Sequence, residues 1–375
     1  MAKTLFTFIF IFLLGNVGLA QSDSLKIERI NKTNFSYRSI VVVDNKIFAL
    51  NDIAKLVIWD LDKLDTIHFS HNGNYVHYTA ICKDKLNQIY IGTDEGFVYK
   101  INPKDLSFSK FLKIKYSIKA ICFNSLNKIF LIVPNAVYQP VEKRHWDKFS
   151  NHAGGIIVHK KKMLFFKKRI DTFFLLPQFT YLDNNDRWWM CSSFGEFGGE
   201  AQIFDTRNEK VYDNNFDINN GLIFPKSIFE DTIGNIFITS GIQHLGSSGT
   251  IIKISPDRNV TEIYDSRDYK DVPSWNLPTR DDGIFVGPGT YNKNDNCIYF
   301  STNKGFYKAL LPMEGKLQNP KFLYNPILNW NREPLAMGLQ MAIRSLEFTN
   351  DNKLLFVTSN DGIGIYNGQK LTFLK

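Results

Sequence analysis

A short apolar run recurs seven times along this chain, and it is the feature that most restricts the possible fold. The seven runs occupy residues 47–50, 89–91, 129–132, 188–190, 236–238, 298–300 and 354–357. They begin about 40 to 60 residues apart, the spacing expected of a large structural repeat. Isoleucine, valine and aromatic residues dominate the runs, and these residue types favour strands over helices. The sequence therefore predicts a repeated unit built on a buried strand.

Each run is preceded by another predicted strand and a polar turn. In the fifth unit, residues 227–229 lead into 230–235 (EDTIGN), whose Gly and Asn tolerate positive φ in a hairpin. A third strand follows at 250–254. Four short strands in each of seven units predict an all-β fold, a seven-bladed β-propeller of four-stranded antiparallel blades. Continuous apolar runs fit this fold because both faces of a blade pack against neighbouring blades.

The best-formed units resemble the propeller repeats of two-component regulators. That repeat has an apolar residue, then Asp-x-x-Gly-Asn, apolar-aromatic-apolar, Gly or Thr, and finally Gly-apolar. Residues 89–96 (IYIGTDEG) and 227–240 carry it most fully. The resemblance implies a sensory or ligand-binding propeller, of the kind secreted by Bacteroidetes-type bacteria and often fused to a kinase. No kinase domain is recognised in this sequence, so we expect any signalling role to need a separate partner.

The first twenty residues have the features of a signal peptide. Lys3 supplies a positive charge, residues 5–14 form a short apolar segment, and small residues precede Gln21. We predict cleavage after Ala20, a single propeller domain over 21–375, and a secreted or periplasmic location. No later stretch approaches the ~20 apolar residues of a membrane-spanning helix, so stable membrane insertion is not expected. Either segment 25–30 or segment 370–374 is predicted to close the ring, which protects exposed sheet edges.

Charge and cysteine content exclude some functional classes. The formal net charge of +8 is small for 375 residues and is no nucleic-acid signature. The spacings of the four cysteines match no zinc or redox motif. We expect buried free thiols, with a disulfide between Cys82 and Cys122 as the alternative, because these two residues lie in equivalent positions of adjacent units.

Unequal loop lengths point to one face of the predicted ring. In a four-stranded blade, the loops between second and third strands share a face with the blade-to-blade connections. We call this the loop face. All the long segments fall in these classes: 134–154, 193–200, 213–225, 240–249, 265–285 and 324–343. Since long loops on a rigid scaffold commonly bind ligands, we expect a ligand or partner site there.

The predicted loop face is rich in aromatic and charged residues. Aromatic rings can cover the apolar faces of sugars, while charged groups bind hydroxyls or carboxylates. The candidate binding residues are Tyr75, His77, Trp146, Glu196, Asp217, Asn219, His244, Tyr269, Trp275, Arg280, Trp330 and Arg332. The favoured function is a non-catalytic sensory or scaffold module that binds a carbohydrate, a peptide or a protein partner.

An enzymatic function is the alternative. The sequence has no nucleophile elbow, phosphate-binding loop, zinc-protease motif or paired Cys-x-x-Cys motif, and no cofactor is predicted. A metal-assisted hydrolase, lactonase or lyase would instead place its site at the central channel on the loop face. Glu196, Asp217, Asn219, Asn220 and Asp361 offer oxygen ligands for a divalent cation, Ca²⁺ in the first instance.

Overall fold

Seven antiparallel four-stranded sheets stand in a ring around a central channel. The computed structural model describes residues 25–67, 76–147, 176–193, 198–212, 224–243, 247–268, 283–328 and 342–375. Consecutive strands of each sheet pair in chain order, with the first strand nearest the channel. The predicted fold class, an all-β seven-bladed propeller, is confirmed.

The strands are short, and each blade takes four of them in chain order. The first strand is β1 (Lys26–Ile30), and blade one then has β2 (Tyr37–Val43), β3 (Lys46–Asn51), β4 (Leu56–Asp60) and β5 (Asp65–Ile67), followed in blade two by β6 (Tyr78–Lys83), β7 (Ile89–Thr93), β8 (Phe97–Ile101) and β9 (Phe108–Lys113). Blade three has β10 (Ala120–Phe123), β11 (Ile129–Val133), β12 (Ala136–Gln139) and β13 (Arg144–Trp146), and blade four has β14 (Phe179–Leu182), β15 (Arg187–Ser193), β16 (Gly199–Asp205) and β17 (Lys210–Val211). Blade five has β18 (Pro225–Glu230), β19 (Ile236–Gln243), β20 (Ser247–Ile254) and β21 (Val260–Asp265), blade six has β22 (Val286–Asn292), β23 (Cys297–Thr302), β24 (Gly305–Leu310) and β25 (Lys321–Tyr324), and blade seven has β26 (Ile343–Phe348), β27 (Leu354–Thr358), β28 (Ile363–Tyr366) and β29 (Lys370–Leu374). A short 3-10 helix, Ser266–Asp268, follows β21.

Polar side chains hold the turn between the first and second strands of a blade. In blade two, the Asp84 carboxylate accepts hydrogen bonds from the backbone N–H groups of Leu86 and Gln88, each at 2.9 Å. Asn87 takes a positive φ of 58°, which Asn tolerates better than most residues. The same arrangement recurs at Asp231, where Gly234 occupies the positive-φ position. The polar turns expected from the sequence are thus explained by these side-chain bonds.

The hydrophobic core lies between the blades. Between blades four and five, for example, Trp189 and Ile203 pack in one cluster with Ile228, Ile236 and Ile238. Second strands such as β7 and β11 are buried along their whole length. Because each of these strands has a neighbouring blade on both sides, both of its faces are apolar, which explains the continuous apolar runs in the sequence.

Both ends of the described chain close the ring. Strand β1 pairs in parallel with β29 and becomes a fifth, outermost strand of blade seven. The backbone N–H of Lys375 donates to the carbonyl of Ile30 at 2.9 Å. The Arg29 guanidinium binds the Asp361 carboxylate at 2.7 Å. The sequence offered segments 25–30 and 370–374 as alternatives for closure, and the structure pairs them with each other.

Three predicted long loops are wrong in extent. Strands β12 and β13 occupy half of 134–147, β19 and β20 leave only 244–246 between them, and β15 and β16 leave only 194–198. The extended part of β19 and β20 contains Gly241 paired with Gly249, so backbone hydrogen bonds build a ladder that has no apolar pattern. The longer connections run between blades, at 147–178, 212–224, 266–285 and 325–342.

The cysteines in the described structure are all free. Cys122, Cys191 and Cys297 are buried, and Cys82 is half-buried. Burial raises the pKa of the Cys122 thiol well above its ordinary value, and the nearby Cys82 raises it further. The expectation of buried free thiols therefore holds for Cys122, Cys191 and Cys297, and no disulfide joins Cys82 to Cys122. No helix among the described residues is long and apolar enough to cross a membrane.

Candidate functional site

Most of the binding residues chosen from the sequence lie outside the described residues. These are Tyr75, Glu196, Asp217, Asn219, His244, Tyr269, Trp275, Arg280, Trp330 and Arg332. His77 and Trp146 are described, and they lie in different settings. Their binding roles, like those of the other ten residues, stay predictions.

His77 is a surface residue of the loop face. It precedes β6, and its Nδ1 lies 3.3 Å from the Asp94 carboxylate on the turn between β7 and β8. Trp146 ends the outermost strand of blade three. Its ring lies 4.9 Å from Phe204 of blade four and 6.3 Å from Phe130, centroid to centroid. The half-buried Trp146 ring therefore contributes to packing between blades three and four.

A β-bulge recurs near the start of the innermost strands, at the loop-face end of the channel. In blades one, two, five, six and seven, the pairing register between first and second strand shifts at this position. In blades three and four, the backbone N–H groups of Lys119 and Gln178 donate to the carbonyls of Ile132 and Cys191. In the strand pairing, Ile132 and Cys191 lie opposite the following residues, Ala120 and Phe179, so Lys119 and Gln178 hold the same position as the bulged residues. A bulge re-aims the side chain at the extra residue, so these seven positions form a structurally equivalent set.

We call this set the channel mouth. Its members, in blade order, are Arg38, Thr79, Lys119, Gln178, Lys226, Gly287 and Arg344. Four of the seven are cationic and none is acidic. Equivalent positions of a propeller lie at the same height along its axis, so the four cations belong to one end of the channel.

Arg38 and Arg344 occupy adjacent blades, and the charge of Arg344 acts on Arg38. Burial lowers the pKa of the Arg38 guanidinium, and the charge of Arg344 lowers it further. Burial also lowers the pKa of Arg344, although its side chain reaches solvent, which fits a position within a concave surface. The exposed Asp52, on the turn after β3, partly offsets these effects by raising both pKa values. Both guanidinium groups remain charged at neutral pH.

Lys226 is the most deeply buried cation of the channel mouth, with a relative exposure of 3%. Burial lowers the pKa of its ammonium group to about 8. Its Nζ lies 5.7 Å from the centre of the Phe285 ring, which gives it a cation–π contact. No carboxylate of the described residues pairs with it. A buried, unpaired ammonium group is costly to a fold, so its presence favours a functional role.

A cleft opens on the loop face between blades six and seven, beside this cation. The space between its walls is about 460 Å³ when the open solvent at its mouth is included. Its walls include Phe285, Gly287, Asn303, Ala342 and Ile343. The Oδ1 atom of Asn303 is buried and has no hydrogen-bond partner among the described residues. Phe285 also lies against the Lys226 ammonium group, and Ile343 precedes Arg344 in the chain.

The described residues give no support for a metal site. They contain no group of three or more His, Cys, Asp or Glu side chains placed to hold an ion. Asp361, one of the proposed oxygen ligands, is 2% exposed and bonds to Arg29. The other four proposed ligands, Glu196, Asp217, Asn219 and Asn220, lie outside the described residues.

Sequence reasoning did not identify the channel mouth, although a weak signal was present. The same triplet, a basic residue followed by Ser and an aliphatic residue, lies near the start of three innermost strands. The three copies are Arg38-Ser39-Ile40, Lys226-Ser227-Ile228 and Arg344-Ser345-Leu346. Aligning the repeats on this triplet would have placed the three cations at one position of the ring.

Comparison with known proteins identifies the fold and no family. No protein-family model matches the sequence, and no curated protein matches it. Solved structures do match. A catalytically inactive virginiamycin B lyase from Staphylococcus aureus, with quinupristin, is 11% identical at a TM-score of 0.55, over 89% of this chain and 95% of that one.

Two further structures match with similar scores. The extracellular domain of a one-component system from B. thetaiotaomicron is 12% identical at a TM-score of 0.53, over 88% of this chain and 38% of that one. Hydrazine synthase from Kuenenia stuttgartiensis is 10% identical at a TM-score of 0.53, over 93% of this chain and 99% of that one. At such low identity, these similarities establish the shared propeller fold alone.

Proposed function

We propose that this chain is a secreted or periplasmic, non-catalytic binding module that takes a carbohydrate, peptide or protein ligand on its loop face. The observation that carries the proposal is the loop-face cleft between blades six and seven, whose wall residue Phe285 lies 5.7 Å from the ammonium group of the buried Lys226. Concave sites with a few convergent polar groups are the usual location of small-ligand binding. One similar propeller is a lyase and another is an extracellular domain of a one-component system, which is consistent with ligand binding.

A thermal-shift screen of residues 21–375 against oligosaccharides and peptides tests the proposal. A ligand at ~100 times its dissociation constant adds about 2.7 kcal/mol of stability. Each ligand that stabilises the protein is then tested on two variants. Ala342→Trp fills the cleft, and Lys104→Trp places the same ring on an exposed turn of the opposite face. Binding that is lost only in Ala342→Trp supports the proposal, and binding that survives in both variants places the ligand elsewhere.

The enzymatic alternative is decided in the same samples. Each stabilising ligand is incubated with the protein, with and without Ca²⁺, Mg²⁺ or Zn²⁺, and analysed by mass spectrometry. An unchanged ligand mass supports a binding module. A mass change of one water, or bond cleavage without water uptake, would instead identify a hydrolase or a lyase.

Export is part of the proposed function. It is supported by the signal-peptide pattern of residues 1–20 and by the absence of a spanning helix among the described residues. Expression of the full chain in a Gram-negative host should give a periplasmic or secreted protein that begins at Gln21. N-terminal sequencing measures this directly, and a cytoplasmic protein that still begins at Met1 would contradict it.

A further inference from the structure

We propose that the outer rim of blade two is a second interaction surface, which binds an extended acidic segment of a partner protein. This surface, the blade-two rim, consists of Phe97, Lys110, Lys113, Lys115 and Tyr116. It lies where β8 begins and β9 ends, at the outer edge of the loop face. The cleft described above lies between blades six and seven, so the inference goes beyond the proposed ligand site and does not depend on it.

The local charge of the rim is strongly one-sided. Residues 106–141 contain five lysines and no acidic residue. Three of these lysines, Lys110, Lys113 and Lys115, are exposed in β9 and just after it. None of the three forms an ion pair with a carboxylate of the described residues. Glu95, on the turn before β8, contacts Lys113 through its backbone carbonyl. The rim therefore presents positive charge to a partner.

Each of the three ammonium groups lies against an aromatic ring. The Nζ atom of Lys113 is 3.7 Å from the centre of the Phe97 ring, and that of Lys110 is 4.6 Å from the same centre. The Nζ atom of Lys115 is 4.9 Å from the centre of the Tyr116 ring. These cation–π contacts restrict the ends of the lysine side chains. A partner therefore meets charges whose positions are partly fixed before it binds.

A β-bulge brings Lys110 and Lys113 onto one face of the sheet. Side chains three positions apart on a regular strand point to opposite faces. In β9, however, Lys113 lies opposite Phe97 and Lys110 lies opposite Tyr99, because the register against β8 shifts between these pairs. Since the distances of 3.7 and 4.6 Å meet at the centre of the Phe97 ring, the two ammonium groups are at most 8.3 Å apart.

This separation fits acidic side chains on an extended segment. Residues two positions apart in an extended chain point to the same side and lie about 6.6 to 6.8 Å apart. Two such carboxylates can therefore bind Lys110 and Lys113 at the same time, through charge-assisted hydrogen bonds. Stacking of a sugar is disfavoured, because an ammonium group lies over the Phe97 ring. Strand addition is disfavoured as well, because the bulge and the lysines interrupt regular pairing along the edge of β9.

Fluorescence anisotropy of labelled heptapeptides tests the class of partner. The first peptide, Ser-Glu-Ser-Glu-Ser-Glu-Ser, presents three carboxylates to one side when it is extended. The second, Ser-Ser-Glu-Glu-Glu-Ser-Ser, has the same composition and presents two, and in the third Gln replaces each Glu of the first. At 50 mM NaCl, the first peptide should bind residues 21–375 at least tenfold more tightly than the third and about threefold more tightly than the second. Its binding should weaken at 300 mM NaCl, because salt screens charge interactions.

Charge-matched variants test the location. A triple variant with Gln at the three rim lysines should weaken binding of the alternating Glu peptide by tenfold or more. The control triple variant removes the same charge from exposed turns on the opposite face and should change binding by less than twofold; its substitutions are Lys63→Gln, Lys85→Gln and Lys104→Gln. Ala342→Trp, which fills the cleft, should leave peptide binding unchanged. Melting temperatures of all variants establish that they are folded.

Several outcomes would overturn this inference. Equal binding of the alternating Glu and Gln peptides would show that the carboxylates do not matter. Equal losses in the two triple variants would show that net charge, and not the rim, attracts the peptide. Displacement of the peptide by an equal concentration of trigalacturonate, which also carries three carboxylates, would assign the rim to an acidic saccharide. If only Ala342→Trp abolishes peptide binding, the peptide binds in the cleft, so the rim fails as a site while the proposed loop-face function stands.

Discussion

Replacing the buried Lys226 with Met should make the protein more stable. Burial lowers the pKa of this ammonium group from 10.5 to about 8. Since a tenfold change in an equilibrium constant is about 1.4 kcal/mol, this difference corresponds to about 3 kcal/mol against the charged form. The side chain is 3% exposed, so solvent screens little of this effect. Met keeps most of the aliphatic chain and removes the charge, and we expect a gain of about 1 to 3 kcal/mol at pH 7.

The pH dependence of the gain follows from the lowered pKa. Below pH 8, Lys226 is charged in both the folded and the unfolded protein, so the full penalty applies. Between pH 8 and 10.5, the folded protein releases the proton first, and its stability rises with pH. The difference between Lys226→Met and the original protein should therefore be largest at pH 7 and shrink steadily toward pH 10.5.

Thermal melting followed by circular dichroism at pH 7, 8, 9 and 10 measures this effect. At pH 7, Lys226→Met should melt about 1 to 4 °C higher than the original protein. The control Lys104→Met alters an exposed lysine and should shift melting by about 1 °C or less. Equal melting of Lys226→Met and the original protein at pH 7 would refute the reasoning, as would a difference that stays constant up to pH 10.

Three further substitutions test the ring itself. Burial raises the pKa of the Glu347 carboxyl to about 7, so its charge opposes folding above that pH. Glu347→Gln should therefore stabilise the protein by about 1 to 3 kcal/mol at pH 8 and have no effect near pH 4.5. Arg29→Ala removes the ion pair between Arg29 and the buried Asp361 carboxylate and should lower stability by about 1 to 3 kcal/mol in urea unfolding. Gly241→Ala would bring a Cβ atom to 2.1 Å from the Val286 carbonyl oxygen and should lower the stability of the protein by at least about 3 kcal/mol. Gly315→Ala is the control: this residue has a positive φ and open space around it, so its substitution should lower stability by about 1 kcal/mol.

Clear results would contradict each of these expectations. A Glu347→Gln effect of the same size at pH 4.5 and pH 8 would show that charge is not its cause. Unchanged urea unfolding of Arg29→Ala would remove the ion pair from the closure of the ring. If Gly241→Ala is no less stable than Gly315→Ala, the contact between blades five and six is looser than the described packing.

The blade architecture could be predicted because its physical cause repeats locally in the sequence. The second strand of a blade is buried on both faces, so runs such as those in β7 and β27 are apolar at successive positions. The turns before them contain side chains that bond their own backbone, as Asp84 does. Burial and local hydrogen bonding both act within a few residues, and a single sequence records them.

The features that sequence reasoning missed depend on distant contacts. The far ends of β19 and β20 pair through Gly241, Gly249 and polar residues, so backbone bonding extends the strands where the apolar pattern has ended. Lys226 looks like an ordinary surface residue between Pro225 and Ser227. Its burial arises because Phe285, about 60 residues further along the chain, packs beside it in the next blade. Only the assembled ring brings the cations of separate repeats to one position.

The parallel pairing of β1 with β29 also determines how the ring responds to mechanical force. Lys26 lies beside Lys370, and Ile30 lies beside Leu374. A pull applied at Lys26 and at Leu374 in opposite directions would slide the two strands past each other. The hydrogen bonds between them would then carry the load together, and they would have to break at once instead of one after another. The Arg29–Asp361 ion pair lies beside the same two strands and would add to their resistance. A propeller tethered at these two points should therefore hold its ring closed under tension, with the loop face free on one side of the junction.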